Sequence, residues 1–205
     1  FANRISEHTF QNEEHSKREV NFLLSIIRED TLDSYQRIIT TICLYNYGYV
    51  EHCYRCFKYL AENDKISLLH KIEALKYLIY SDDEEYLQVI TTQLLLIIND
   101  MKYESEYRYN IIASFITKTG MITLYNFSKL NCTCDEKISK VIQSSFFNNK
   151  ENGDRERILS GQHLMQMSSV TTEEKNIIGD EILNIATTNT EYNIKADAMD
   201  VIVRL

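Results

Sequence analysis

The chain has 205 residues, 44% of them hydrophobic and 25% charged, with 30 acids against 22 bases and a formal net charge of −8. That balance supplies enough apolar side chains for a sizeable core, while the acidic excess argues against work on a phosphate backbone, which leaves a basic footprint. No apolar run approaches the ~18–20 residues that a membrane span needs, and five cysteines without a regular framework point to reduced thiols and an intracellular setting, cytoplasm or nucleus.

Proline and tryptophan are absent and glycine occurs only five times, so other residues must punctuate the chain. Apolar residues recur at three- and four-residue spacings almost throughout, the period of a helix. From about 16 to 28, Val20, Leu23, Leu24 and Ile27 share one side. Asp30 or Thr31 is then expected to cap a second helix carrying Tyr35, Ile38, Ile39 and Ile42. After a tyrosine-rich turn at Gly48, Val50, Cys53, Phe57 and Leu60 form one stripe. Asn63-Asp64 breaks it before Ile66–Tyr80. Ser81 to Glu85 reads as a helix start, with a capping hydroxyl and acids near the positive end of the dipole, leading into Tyr86–Ile98. The pattern resumes at Glu104–Thr117, stops at Gly120, becomes irregular over 121–133 and returns over Asp135–Phe147. The run 148–153 is a loop. Three more helices are expected near 154–167, 172–187 and 191–205, opened by Asp154, by Thr171-Thr172-Glu173-Glu174 and by Thr190-Glu191. The fold class is all-α, with about ten to eleven helices.

Every second helix aligns with the others. With Arg37, Lys71, Arg108, Arg157 and Lys195 as origins, the next residues are Ile38, Ile72, Tyr109, Ile158 and Ala196. Three positions on stand Thr40, Ala74, Ile111, Ser160 and Ala198, mostly small. Seven positions on stand Leu44, Leu78, Phe115, Leu164 and Ile202, all apolar. The origins lie 34, 37, 49 and 38 residues apart, and the long interval holds the irregular 121–133 stretch. A period in the thirties with two helices per unit marks an α-solenoid, in which hairpins too small to bury their own apolar sides stack and share a core.

The run Lys71-Ile72-Glu73-Ala74-Leu75-Lys76-Tyr77-Leu78 and the closing Lys195-Ala196-Asp197-Ala198-Met199-Asp200-Val201-Ile202 carry a basic residue, a small one and a large aliphatic in the order of a HEAT second helix. Over about 16–205 the chain resembles the HEAT-repeat and armadillo-like family. The resemblance implies a right-handed α-α superhelix with units near 16–47, 48–81, 82–120, 134–168 and 171–205, after an N-terminal extension 1–15. It also implies a turn Asp paired with the basic residue of the second helix, for which Asp33, Asp64 and Asp154 are the candidates. The third and fifth units lack such an Asp, and the family's first-helix proline is missing, so another helical-hairpin repeat stays open. The Phe1 start and the apolar end at Leu205 suggest a fragment of a longer protein.

Candidate chemistry is sparse. Cys53-Tyr54-Arg55-Cys56, beside His52, joined with Cys132-Thr133-Cys134, supplies four thiols that a zinc ion would accept. Cys53 nevertheless shares a stripe with Phe57 and Leu60, where a small buried thiol belongs. His8, His15, His52, His70 and His163 are scattered outside any H-E-x-x-H arrangement, and neither a nucleophile elbow nor a Gly-rich phosphate loop occurs. Catalytic residues, cofactor and metal are therefore expected to be none. The acidic run 82–85 reads as a solvated helix start, and the clustered tyrosines as packing between units with phenol tips reaching water.

In HEAT-like stacks the second helices line a concave side. Positions two, five and nine after the origins assign a partner face of Glu73, Lys76, Tyr80, Asn110, Thr117, Gln162, Gln166, Asp197, Asp200 and Arg204, whereas the first unit offers apolar Ile39 and Ile42. The face is mixed to acidic and suits a protein or peptide partner, with no membrane and with nucleic acid disfavoured. The expected function is a non-enzymatic interaction scaffold; a HEAT-like nucleic-acid-binding or DNA-repair protein is the alternative.

Overall fold

Helix formation here follows the apolar period, and the ends follow local capping. A computed structural model describes residues 13–28, 32–46, 48–81, 83–116 and 136–204, and among these every regular element is a helix. In chain order they are α1 (Glu13–Arg28), α2 (Ser34–Asn46), α3 (Val50–Glu62), α4 (Leu68–Leu78), α5 (Glu84–Ile98), α6 (Ser105–Ile116), α7 (Glu136–Asn148), α8 (Asp154–Gln166), α9 (Thr172–Thr188) and α10 (Tyr192–Val203). The expected irregular stretch 121–133, including Cys132, and also Thr117 and Cys134, lie outside the described residues. None of the described helices is long and apolar enough to cross a membrane.

Short polar side chains set the starts. Asp33 caps α2, while Asp30 and Thr31, expected in that role, lie outside the described residues. Asp33 Oδ1 accepts from Gln36 N at 2.7 Å, and Gln36 Oε1 accepts from Asp33 N at 3.3 Å. These are the two reciprocal bonds of a capping box. Thr171 and Glu174 repeat that arrangement at α9. At α5 the carboxylate of Asp83 accepts from Glu85 N at 2.9 Å, while the expected hydroxyl, Ser81, turns to Asp83 N at 3.2 Å. Helix α2 ends in a Schellman turn. Tyr49 N donates to Leu44 O and Gly48 N to Tyr45 O, with Gly48 at φ +90°, a conformation that glycine adopts without a Cβ penalty.

The chain forms two compact units, Phe1–Ile90 and Thr91–Leu205, with the boundary inside α5. In the first unit α1 packs on α2 and α3, α2 on α3 and α4, and α3 on α4. Its core holds Ile27, Ile38, Leu44, Phe57, Leu60, Leu75 and Leu78, all nearly free of solvent. Tyr45, Tyr54, Phe57, Tyr77 and Tyr86 form a ring cluster, in which Phe57 and Tyr77 stack at 4.7 Å. In the second unit α6 packs on α7 and α8, α7 on α8, α8 on α9 and α10, and α9 on α10. Each of these pairs joins a helix to its successor or its next-but-one.

Helix α8 packs against α6, α7, α9 and α10 in that second unit. A Cβ placed on Gly161 would come within 2.8 Å of the Phe147 ring of α7 and within 3.0 and 3.2 Å of Ile182 and Ile178 of α9. The glycine is what lets three helices meet at this point. Ile158, Leu164, Met165, Ile178, Ile182, Ile185, Ala198 and Val201 complete the cluster around it.

Candidate functional site

The residues aligned across the even-numbered helices occupy a repeated register. At the third position after each origin, Ala74, Ile111, Ser160 and Ala198 are buried and Thr40 half-buried. At the seventh, Leu44, Leu78, Phe115 and Leu164 are buried and Ile202 half-buried.

The three arginine origins bind backbone, which no sequence pattern announces. Arg108 Nη1 donates to Ile98 O at 2.7 Å, and Arg157 Nε donates to Phe147 O at 3.0 Å, each reaching ten residues back to the C-terminal end of the preceding helix. Arg108 Nε also bonds Tyr103 O, and Arg37 Nε bonds Leu32 O, each five residues back at 3.0 Å. The last carbonyls of a helix have no intrahelical partner and carry its negative dipole end, so a buried guanidinium satisfies both demands. Turn acids join two of the origins: Lys71 pairs with Asp64 and Arg157 with Asp154, both at 3.1 Å. Arg157 also reaches Glu181 of α9 at 2.6 Å.

Three residues before the origins a second set of contacts recurs. Ser34 Oγ accepts from Ser67 N at 3.1 Å, and Ser105 Oγ accepts from Gly153 N at 2.8 Å. At the matching position Asp154 Oδ2 accepts from Asn189 Nδ2 at 2.8 Å. In each case a small polar side chain at the start of one even-numbered helix holds the turn that leads towards the next. Ser34, Ser105 and Asp154 share an offset of minus three in the alignment, and that shared offset was the available signal.

The proposed partner face divides between the units. In the first, Glu73, Lys76 and Tyr80 on or just after α4 are half-buried. Burial pushes the Glu73 carboxyl above its ordinary value, and the neighbouring Lys76 ammonium partly opposes this. Ile39 and Ile42, the apolar residues of the first repeat, are half-buried and buried. In the second unit Asn110, Gln166, Asp200 and Arg204 are exposed, and Gln162 and Asp197 half-buried. Charges there are already matched: Asp200 binds Arg204 at 2.8 Å, and Asp197 meets Arg155 of α8 at 3.4 Å.

The thiols and imidazoles have structural surroundings. Cys53 and Cys56 are buried on α3, and Cys53 Sγ donates to Thr41 O at 3.5 Å. Burial first, and the Cys56 thiol second, push the Cys53 pKa up to about 12, far from the range of a reactive thiolate. His70 Nδ1 shares a hydrogen bond of 2.8 Å with Ser67 Oγ, closing the first turn of α4, and desolvation holds its pKa down despite the charge of Asp33. Desolvation likewise lowers His163. Among the described residues no three His, Cys, Asp or Glu side chains gather closely enough to hold a metal ion. Tyr54, Tyr77, Tyr86 and Tyr109 are buried in packing contacts, whereas Tyr107 and Tyr192 are exposed.

Comparison with known proteins gives no relative: no family model, curated protein or solved structure matches this chain.

Proposed function

We propose that the chain is a non-enzymatic interaction scaffold, part of a HEAT- or armadillo-like right-handed superhelix of helical hairpins acting inside the cell. The exposed sides of its even-numbered helices hold a protein or peptide partner. The observation that carries this reading is the repeated register: the pattern of burial recurs from α2 to α8, and backbone-bound arginines and inter-turn bonds recur in α2, α6 and α8. Stacked hairpins of this kind spend their apolar sides on one another and leave a long polar face free for recognition. Arg204 of the second unit's face and Arg155, the partner of Asp197, are engaged by carboxylates, which favours a protein partner over the nucleic-acid alternative.

The test is affinity capture from cells with wild-type chain and with a triple variant, Glu73→Lys, Asp197→Lys and Asp200→Lys. These side chains are half-buried or exposed and lie outside the core, so the circular-dichroism spectrum is expected to be unchanged while the recovered partner set is lost. Undiminished capture by the folded variant refutes the assignment of this face. A gel shift at low salt separates the alternative, because the scaffold reading requires no retardation of DNA or RNA.

A further inference from the structure

The turn between α7 and α8 carries an Asn-Gly step, Asn152-Gly153, whereas every other asparagine of the chain is followed by a residue with a side chain. An asparagine before glycine is where a main chain most readily attacks itself, because no Cβ keeps the next peptide nitrogen from the side-chain amide. Hydroxide takes the Gly153 N–H proton, the nitrogen bonds to Asn152 Cγ, and the Cγ–Nδ2 bond breaks. Ammonia leaves after taking a proton from water. A second water then opens the cyclic imide at either carbonyl, giving aspartate or isoaspartate at 152.

The fold holds both reacting groups off this path. Gly153 N–H donates to Ser105 Oγ of α6 at 2.8 Å. The Ser105 hydroxyl proton is itself directed to Glu156 Oε2 at 3.2 Å, so the oxygen lone pairs are left for the glycine, and the two bonds reinforce each other. Asn152 is 4% exposed, and its Nδ2 donates at 2.7 Å to Phe146 O, one of the last carbonyls of α7, which have no intrahelical partner. Asn152 Oδ1 is buried without a hydrogen-bond partner, so the bond to Phe146 O is what fixes the amide. Asn152 N donates to Asn149 O at 3.1 Å and closes the turn. Imide formation must break the bonds to Ser105 and Phe146 together.

We propose that Asn152-Gly153 is a self-modification site gated by the fold: inert while the turn is closed, it converts to aspartate or isoaspartate when the turn opens, and the converted turn does not close again. A carboxylate at 152 has no N–H to give Phe146 O. It also faces the negative end of the α7 dipole from a buried position, where an unpaired charge is costly. Isoaspartate further lengthens the main chain by a methylene group, which moves Gly153 off Ser105. A chain that has opened at this turn is thereby marked covalently, and its second unit is weakened. The site is separate from the polar face proposed above and stands or fails independently of it.

The test incubates the whole chain in mildly alkaline buffer, folded and in urea. Conversion is read by mass and chromatography in the peptide 151–155, which trypsin releases after Lys150 and Arg155. A synthetic peptide of residues 148–155, with and without urea, gives the rate of the open sequence. The unfolded chain is expected to match that peptide, and the folded chain to convert about tenfold more slowly or less. Ser105→Ala, checked for folding by circular dichroism, is expected to speed conversion of the folded chain about fivefold. Converted wild-type chains, separated by their added charge, are expected to unfold at lower urea than unconverted ones. A folded chain that converts as fast as the peptide overturns the gate, as does a folded Ser105→Ala variant that converts no faster than wild type. Converted chains with an unchanged urea midpoint overturn the claim that the turn does not close again. The wild-type measurements decide the proposal even where Ser105→Ala does not fold.

Discussion

Replacing Arg157 with methionine keeps most of the aliphatic stem and deletes the guanidinium, so it isolates what the charged head contributes. In the native chain that head is 6% exposed at the side chain and bonds Phe147 O at 3.0 Å, Asp154 at 3.1 Å and Glu181 at 2.6 Å. The substitution strands the Phe147 carbonyl at the end of α7 and leaves two carboxylates without their cation. One hydrogen bond to a charged group contributes about 1.5–3 kcal/mol, and removing one partner of a buried pair costs about 3–5 kcal/mol. Asp154 and Glu181 are 33% and 26% exposed, and Asp154 keeps its bond from Asn189, so water and that amide recover part of the loss. The expected destabilisation at neutral pH is therefore about 2–4 kcal/mol. With a urea slope of about 2 kcal/mol per molar, the midpoint falls by about 1–2 M. Tyrosine fluorescence and circular dichroism report the transition, since the chain has 14 tyrosines and no tryptophan. Hydrogen exchange should assign the lost protection to α7, α8 and α9. The Arg157→Met/Glu181→Gln double variant should be less destabilised than the sum of its singles, by about 1 kcal/mol or more. A single-variant loss below about 1 kcal/mol, or lost protection confined to the first unit, refutes the assigned role.

Gly161→Val forces a branched side chain against Phe147, Ile178 and Ile182; overpacking should cost about 3 kcal/mol in the same unfolding assay, and a stabilised variant would contradict the close approach. Glu174 has its pKa held down to about 2, first by the Lys140 ammonium and then by the Thr171 N–H. A carboxylate depressed in the fold stabilises it at neutral pH, and that contribution fades as pH falls from about 4.5 through about 2, so Glu174→Gln should flatten the acid limb of the stability profile across that window. Cys53, its pKa raised to about 12 by burial and by Cys56, should react with iodoacetamide at pH 8 only as fast as the chain unfolds, whereas labelling faster than unfolding would show the thiol to be accessible.

Much of the architecture is legible from spacing alone, because three- and four-residue periodicity is a local property that packing here reinforces. The stripe Cys53, Phe57 and Leu60 is buried as read, and Thr171 with Glu174 forms the capping box that their spacing announces. The start of α2 was less legible, because Asp30, Thr31 and Asp33 all carry cap-competent side chains, and only Asp33 has a glutamine three residues on to return the bond. The role of the basic origins was hidden for a different reason. Arg108 and Arg157 bond main-chain carbonyls ten residues back, and a backbone acceptor leaves no trace in side-chain identity. The aligned turn acids could be guessed, and Asp64 and Asp154 do pair with Lys71 and Arg157. The positions read as solvent-facing are exposed at Asn110, Gln166, Asp200 and Arg204 and half-buried at Glu73, Lys76, Tyr80, Gln162 and Asp197, and the Arg155–Asp197 pair depends on how α8 and α10 approach, a distance that spacing within one helix does not encode.

Within each unit the packed pairs join a helix to its successor or its next-but-one. Contacts so near in sequence demand little loop closure before they form. A nascent chain leaving the ribosome could thus lay down each hairpin as it emerges, without awaiting a distant strand or terminus. The absence of proline removes the isomerisation that holds other chains back for tens of seconds. Refolding from denaturant should accordingly finish without a phase that a prolyl isomerase can accelerate.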